Sequence, residues 1–189
     1  QDALAKYLVQ SYEPIQVVWA RYTSQTVASL IILSPLIHKV LVTNNFKLQL
    51  LRSLFLFLAT ICFFSSLKYL QLAQVNAIFQ VAPLFVTFLS VIVLKELVGF
   101  RRWIGVFFGL LGALLIVRPG STDFSLTLLL PCLAALCYAS YLIATKYLTD
   151  GESPATSFLY TSIVGTIISS FLIVSSWTPV IKTDLFIFM

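Results

Sequence analysis

The chain has 189 residues, 59 % of them apolar and only 10 % charged, with a net charge of +5. A soluble domain carries about 25 % charged residues, so too few are present to cover a water-facing surface, and the composition implies an integral membrane protein. The positive excess forms no basic patch on a polar face. A cytoplasm-directed bias of Lys and Arg accounts for it without nucleic acid.

Residues 1–11 read as the tail of a helix. Pro14 opens a second apolar segment reaching residue 33 or 36, because proline at a helix's first turn sacrifices no hydrogen bond. A polar link, HKVLVTNNFK, follows. A third segment covers residues 48–70, and a fourth, after a break at Gln71–Gln74, covers 75–94. The fifth is 103–117, ended by Arg118-Pro119-Gly120, and is short unless Phe100 to Arg102 join it. The sixth is 124–147. After the turn TDGESP, the seventh is 154–174. Most approach the roughly 20 residues that cross about 30 Å of hydrocarbon. A β-barrel would need short alternating strands, and these runs are continuous. The chain begins at Gln1 without an initiator Met or basic leader, and its end, DLFIFM, falls in an apolar run. Both ends are expected to be interior points of a longer polypeptide.

Orientation follows from the cations. The links after segments two, four and six hold Lys39, Lys47, Arg52, Lys95, Arg101, Arg102 and Lys146, seven in all. The opposite side holds five, Lys6, Arg21, Lys68, Arg118 and Lys182. The larger group is expected to be cytoplasmic.

An internal repeat is visible. AKYLVQSYEP, from residue 5, aligns without a gap on TKYLTDGESP, from residue 145, at an offset of 140 that superimposes Pro14 on Pro154. Beyond it, the stretches from Tyr22 and Tyr160 align with a two-residue slip. Five crossings separate the copies. Five is odd, so the second copy would enter the membrane inverted, an arrangement that underlies alternating access in many secondary transporters.

The fourth segment carries Asn76, Gln80, Pro83 and Thr87 at spacings of four, three and four, which places them on one helix face. Pro83 would free the carbonyl of Phe79, and such groups cannot face lipid cheaply. The face is expected to line a cavity, with interhelical packing as the alternative. Trp19 and Arg21 lie near the start of the second segment, where Arg21 either attracts an anion or snorkels to the interface. Tyr138, Tyr141, Tyr160 and Thr161 could form a facing wall or anchor at the interface, and Phe63 and Phe64 either pack or stack on a substrate. Gly105, Gly109 and Ala113, with Gly112 beside them, make a small-residue stripe suited to close helix packing. Glu96, among Lys95, Arg101 and Arg102, reads as a structural ion pair or a cytoplasmic gate. No buried Asp or Glu is expected at a segment centre, so proton coupling through a midmembrane carboxylate lacks support. Cys62, Cys132 and Cys137 read as buried small hydrophobes, and lone His38 makes no zinc site. No catalytic residues, cofactor or metal are expected, and the chain does not read as an enzyme.

With these pieces placed, the chain resembles the EamA family of the drug/metabolite transporter superfamily. The matching stretches are PIQVVWARY, Arg52 opening the third segment, KYLQLAQVNAIFQVAPLFVTFLSVIVLKE and RRWIGVFFGLLGALLIVRPG. The resemblance implies an all-α polytopic membrane protein of ten helices in two inverted five-helix repeats, of which this chain would be a fragment. Residues 1–118 would be the first repeat, lacking most of its first helix, and 124–189 the start of the second. It implies a secondary transporter of a small polar metabolite, an amino acid or related compound, in the bacterial inner membrane. The chain is similar to the branch that includes S-adenosylmethionine uptake proteins. A non-transporting scaffold or assembly subunit is the competing reading. The expected partners are the metabolite and the lipid bilayer, with a homo-oligomer left open.

Overall fold

The computed structural model describes residues 2–96, 99–117, 126–148, 152–174 and 177–179, and in these it is helical with short connections. The helices are α1 (Asp2–Ser11), α2 (Pro14–Leu33), α3 (Ile37–Val40), α4 (Phe46–Tyr69), α5 (Leu72–Phe79), α6 (Ala82–Val93), α7 (Phe100–Val117), α8 (Leu129–Leu148) and α9 (Pro154–Ile173). Short 3₁₀ turns at Ser34–Leu36 and Leu126–Leu128 lead into α3 and α8. The chain is a multi-pass helical membrane protein. Four stretches, Phe46–Tyr69, Leu72–Val93, Leu129–Leu148 and Pro154–Ile173, are long and apolar enough to cross a bilayer.

Local signals set the helix starts. Pro14 follows Glu13, which is extended, and Pro154 follows Ser153, whose hydroxyl accepts the Thr156 amide at 3.0 Å. That cap satisfies one of the amides a helix start leaves unpaired. Gln71 and Gln74 form a reciprocal capping box before α5.

Several expected boundaries shift. The polar link after Leu36 begins with the helical turn α3. The fifth segment starts at Phe100, so Phe100 to Arg102 belong to it. Arg118-Pro119-Gly120, Phe124 and residues 180–189 lie outside the described residues. The fourth segment is not one straight helix. It bends at Gln80–Val81, two residues before Pro83. Proline cannot donate into the previous turn, and the chain passes the gap with tighter bonds, Val81 N–H to the Ile78 carbonyl at 3.0 Å and Leu84 N–H to the Val81 carbonyl at 2.9 Å. The kink therefore falls in the turn before the ring.

α4 packs most extensively on α8, and α2 on α9. A core of Leu8, Val9, Val18, Tyr22, Phe57, Phe64, Leu67 and Val75 joins α1, α2, α4 and α5. Outward-facing apolar side chains such as Phe108, Phe171 and Val174 stay exposed, as suits a surface whose solvent is lipid. At the α2–α9 contact the Thr26 and Thr166 hydroxyls meet at 2.8 Å.

Candidate functional site

Among the described residues, cavities lie between α1, α2 and α4–α9, and three of them bear on the predicted site. One, of about 200 Å³, is walled by Arg21, Thr60, Phe63, Asn76, Phe79 and Tyr138, with Asp2 at its edge. A second, of about 520 Å³, lies against Pro83, Thr87, Gly105, Tyr138 and Leu142. The third, of about 460 Å³, is bounded by Gln25, Arg52, Tyr141, Thr145, Glu152, Ser157 and Thr161. Tyr138 stands in the walls of the first two, and Leu56 in those of the first and third.

The predicted polar face of the fourth segment is divided by the kink. Asn76 lines the first cavity and Pro83 and Thr87 the second, while Gln80 is exposed at the bend. Thr87 is buried and its hydroxyl donates to the Pro83 carbonyl at 2.9 Å. Two polar groups about three turns apart thus reach different spaces on either side of the bend.

Aromatic rings connect the cavities. The Arg21 guanidinium sits 5.5 Å from the Phe64 ring. Phe64 and Phe63 are 6.2 Å apart, Phe63 and Phe79 5.3 Å, Phe79 and Tyr138 5.5 Å, and Tyr138 and Tyr141 5.7 Å, the last pair stacked. Tyr141 in turn lies 4.8 Å beneath the Arg52 guanidinium. Five rings and two cations thus follow one another from Arg21 on α2 across α4, α5 and α8, ending at Arg52 on α4. Helical spacing explains part of this, since Tyr138 and Tyr141 are three residues apart on α8 and share a face.

Other predicted residues stand elsewhere. Trp19 donates its indole N–H to Ser170 Oγ at 2.9 Å and meets Trp177 edge-on at 5.6 Å. Tyr160 donates to the Leu41 carbonyl at 2.9 Å and packs against Phe46. Both therefore bond across helix contacts. Glu96 pairs with Lys146 on α8, with both side chains more than a third exposed, and Arg101 is exposed. The small-residue stripe on α7 is looser than expected. A Cβ at Gly105 would meet nothing within 4 Å, and one at Gly109 would meet only the tip of Leu84. The three cysteines are free thiols and half-buried rather than fully buried.

Three residues went unnoticed as site candidates. Arg52 is 5 % exposed and was counted as a topology cation. Its position six residues into an apolar segment is itself the missed signal, because an intramembrane charge is costly unless it has a role. Asp2 is exposed at the start of α1 and lines the first cavity. Glu152 gathers the α3–α4 loop, accepting from Thr43 Oγ1 at 2.6 Å and the Asn44 amide at 2.7 Å. Burial raises its carboxyl, but these bonds, with Gln49 and the Asn45 amide, carry it below the ordinary glutamate value.

Crossing helices, one of them interrupted before Pro83, thus enclose ring-lined cavities that hold a few polar groups. The chain belongs to the EamA-like transporter family, whose sequence profile matches residues 2–118. It is 37 % identical over 101 residues to a riboflavin transporter of Vibrio cholerae, covering 53 % of this chain and 34 % of the relative. To a riboflavin transporter of Brucella anthropi it is 32 % identical over 156 residues, covering 80 % of this chain and 55 % of the relative. To an S-adenosylmethionine uptake transporter of Rickettsia prowazekii it is 25 % identical over 179 residues, covering 94 % and 61 %. The chain therefore spans between about a third and three fifths of the length of these relatives. No solved structure gives a significant match.

Proposed function

We propose that this chain is part of a secondary transporter that moves a small polar metabolite across a bacterial inner membrane by alternating access. The observation that carries the reading is the run of rings from Phe64 to Tyr141 between two arginines. Ring faces and edges offer stacking to a flat solute, and the flanking guanidinium groups attract its polar ends. Asn76, Thr60 and Tyr138 supply hydrogen-bonding groups in the first cavity. The substrate class this favours is an amino acid or related compound, or a metabolite bearing a planar ring. Riboflavin and S-adenosylmethionine, named for the relatives, both contain a heteroaromatic ring.

Alternating access is supported by the internal repeat. The two aligned stretches face each other, with the Thr26 and Thr166 hydroxyls 2.8 Å apart. On the repeat, residues 1–118 and 124–189 are assigned to two copies. Two inverted copies that exchange shapes would open the cavity to opposite sides in turn.

The test uses the full-length protein in membrane vesicles, with Cys62, Cys132 and Cys137 replaced and a single cysteine placed at Asn76. Labelling from both sides, changed by added riboflavin, S-adenosylmethionine or an amino acid, is the expected result. No labelling from either side would remove the cavity, and labelling insensitive to every metabolite tried would favour a scaffold. In the same preparation Tyr138→Ala should cost about 0.5–1.5 kcal/mol of stacking, or roughly two- to tenfold in substrate affinity.

A further inference from the structure

Arg52 is a guanidinium held inside a membrane-spanning helix without a carboxylate. It lies six residues after Phe46, about 9 Å along α4, and is 5 % exposed. Among the described residues the ion pairs are Lys68–Glu13 and Lys146–Glu96, and Arg52 belongs to neither. Neutral acceptors surround it instead. Nε donates to Thr145 Oγ1 at 2.7 Å, and Nη1 to the Ser157 carbonyl at 3.0 Å, with Gln49 Oε1 and Thr161 Oγ1 each at 3.3 Å. Nη2 donates to the Tyr141 hydroxyl at 3.1 Å. Glu152 reaches this group through the Gln49 amide, 3.4 Å from its Oε2.

The donor count leaves a vacancy. A guanidinium has five N–H groups. Nε and Nη1 use three, while Nη2 has two and one acceptor among the described residues. Tyr141 accepts from Arg52, so its own proton is left to donate, and no acceptor for it stands among the described residues. Both groups face the cavity of about 460 Å³, where the Gln25 and Ser157 side chains also stand. Removing a guanidinium from water costs several kcal/mol, and neutral oxygens return only part of that. A negative charge in the cavity would complete the arrangement, because charge-assisted bonds are roughly twice as strong as neutral ones.

From this geometry we infer that the cavity between α4, α8 and α9 binds the carboxylate of a small metabolite, with Arg52 Nη2 and the Tyr141 hydroxyl as donors. The ligand is a monoanion or a zwitterion. Glu152 stands in the same wall, so a doubly charged phosphate would meet more like-charge repulsion than a monoanion, whereas the cationic end of a zwitterion would meet an opposite charge. The stacked Tyr138–Tyr141 pair beside the site suits a ring attached to that carboxylate. The inference deepens the transport reading by naming a group its substrate would carry, but it is tested by binding alone.

The experiment is titration calorimetry of the full-length protein in detergent with sodium benzoate, its neutral isostere benzamide, and inorganic phosphate, at matched ionic strength. Benzoate is expected to bind at least tenfold more tightly than benzamide. Arg52→Lys, which loses the planar fork, is expected to weaken benzoate about tenfold, within the range for hydrogen bonds to a charged group. Tyr141→Phe removes one hydroxyl with the ring retained, should weaken benzoate severalfold, and serves if the Arg52 variant does not fold. Benzoate no tighter than benzamide, phosphate tighter than benzoate, or Tyr141→Phe without effect would each overturn the assignment. Benzoate binding in a protein that transports no metabolite would leave this site standing and remove the transport reading.

Discussion

Glycines on α7 and on α9 face different surroundings. Gly105 on α7 has open space where a Cβ would go, and at Gly109 the Cβ would meet Leu84 Cδ2 at 3.0 Å. On α9, a Cβ at Gly165 would lie 2.3 Å from Tyr22 Cδ1. Tyr22 is 2 % exposed and hydrogen-bonded to Thr60 at 3.1 Å, so its ring has little room to retreat. The four-residue spacing of small side chains on α7 suggests tight packing, yet the close approach occurs at one glycine flanked by Val164 and Thr166. Spacing tells which residues share a face. It does not tell how near the next helix comes.

Substitutions should separate these regions by size of effect. Gly165→Ala drives a methyl into the Tyr22 ring and should destabilise the full-length protein by about 1–3 kcal/mol, the usual cost of overpacking, read as an earlier thermal transition in detergent. A wild-type transition would mean that α2 and α9 can part. Gly109→Ala should cost less, because the end of a leucine side chain can turn away, and Gly105→Ala should lie within about 0.5 kcal/mol of wild type. Equal effects at Gly105 and Gly165 would erase the difference between the two regions.

The α2–α9 contact also carries hydroxyl pairs. A double-mutant cycle on Thr26→Val and Thr166→Val should give a coupling of roughly 0.6 kcal/mol, the scale of interhelical hydrogen bonds in membranes. A coupling near zero would leave the two hydroxyls bonded independently to their own helices, as Thr166 already is to Ser162.

The smallest expected effect is local and depends on pH. The folded Glu152 carboxyl lies below its ordinary value. Its contribution is therefore present above the unfolded value, including at neutral pH, and is lost as pH falls through the folded one. The protection of the Asn44 amide against hydrogen exchange, taken relative to its intrinsic rate at each pH, should fall on acidification, and Glu152→Gln should show weakened protection already at neutral pH. Unchanged protection in acid would mean that the loop is held by other contacts, such as Tyr160 to the Leu41 carbonyl.

Much of the fold was legible. Apolar runs near 20 residues, prolines at positions 14 and 154, and the break at Gln71–Gln74 located most helices to within a few residues, because hydropathy and turn chemistry are local properties. The family was legible from motifs. The candidate cavities were less so. Asn76 and Thr87 share a helical face in an unbroken helix, but Pro83 bends the chain before that face is complete. Arg52 looked like a boundary charge, because a sequence shows depth only as distance from a segment's end. Its neutral partners come from α8 and α9, some 90 to 110 residues away.

The sequence by itself determined that this is a membrane protein of crossing helices, roughly where most of them begin, and which family it belongs to. Those properties follow from burial free energy and hydrogen-bond supply along short stretches of chain. Only the tertiary structure decided which polar groups meet. It brought rings from α4, α5 and α8 into one run, set Gly165 against Tyr22, and closed neutral oxygens around a buried guanidinium. Such contacts depend on the distance and rotation between helices, which side chains from several segments fix jointly.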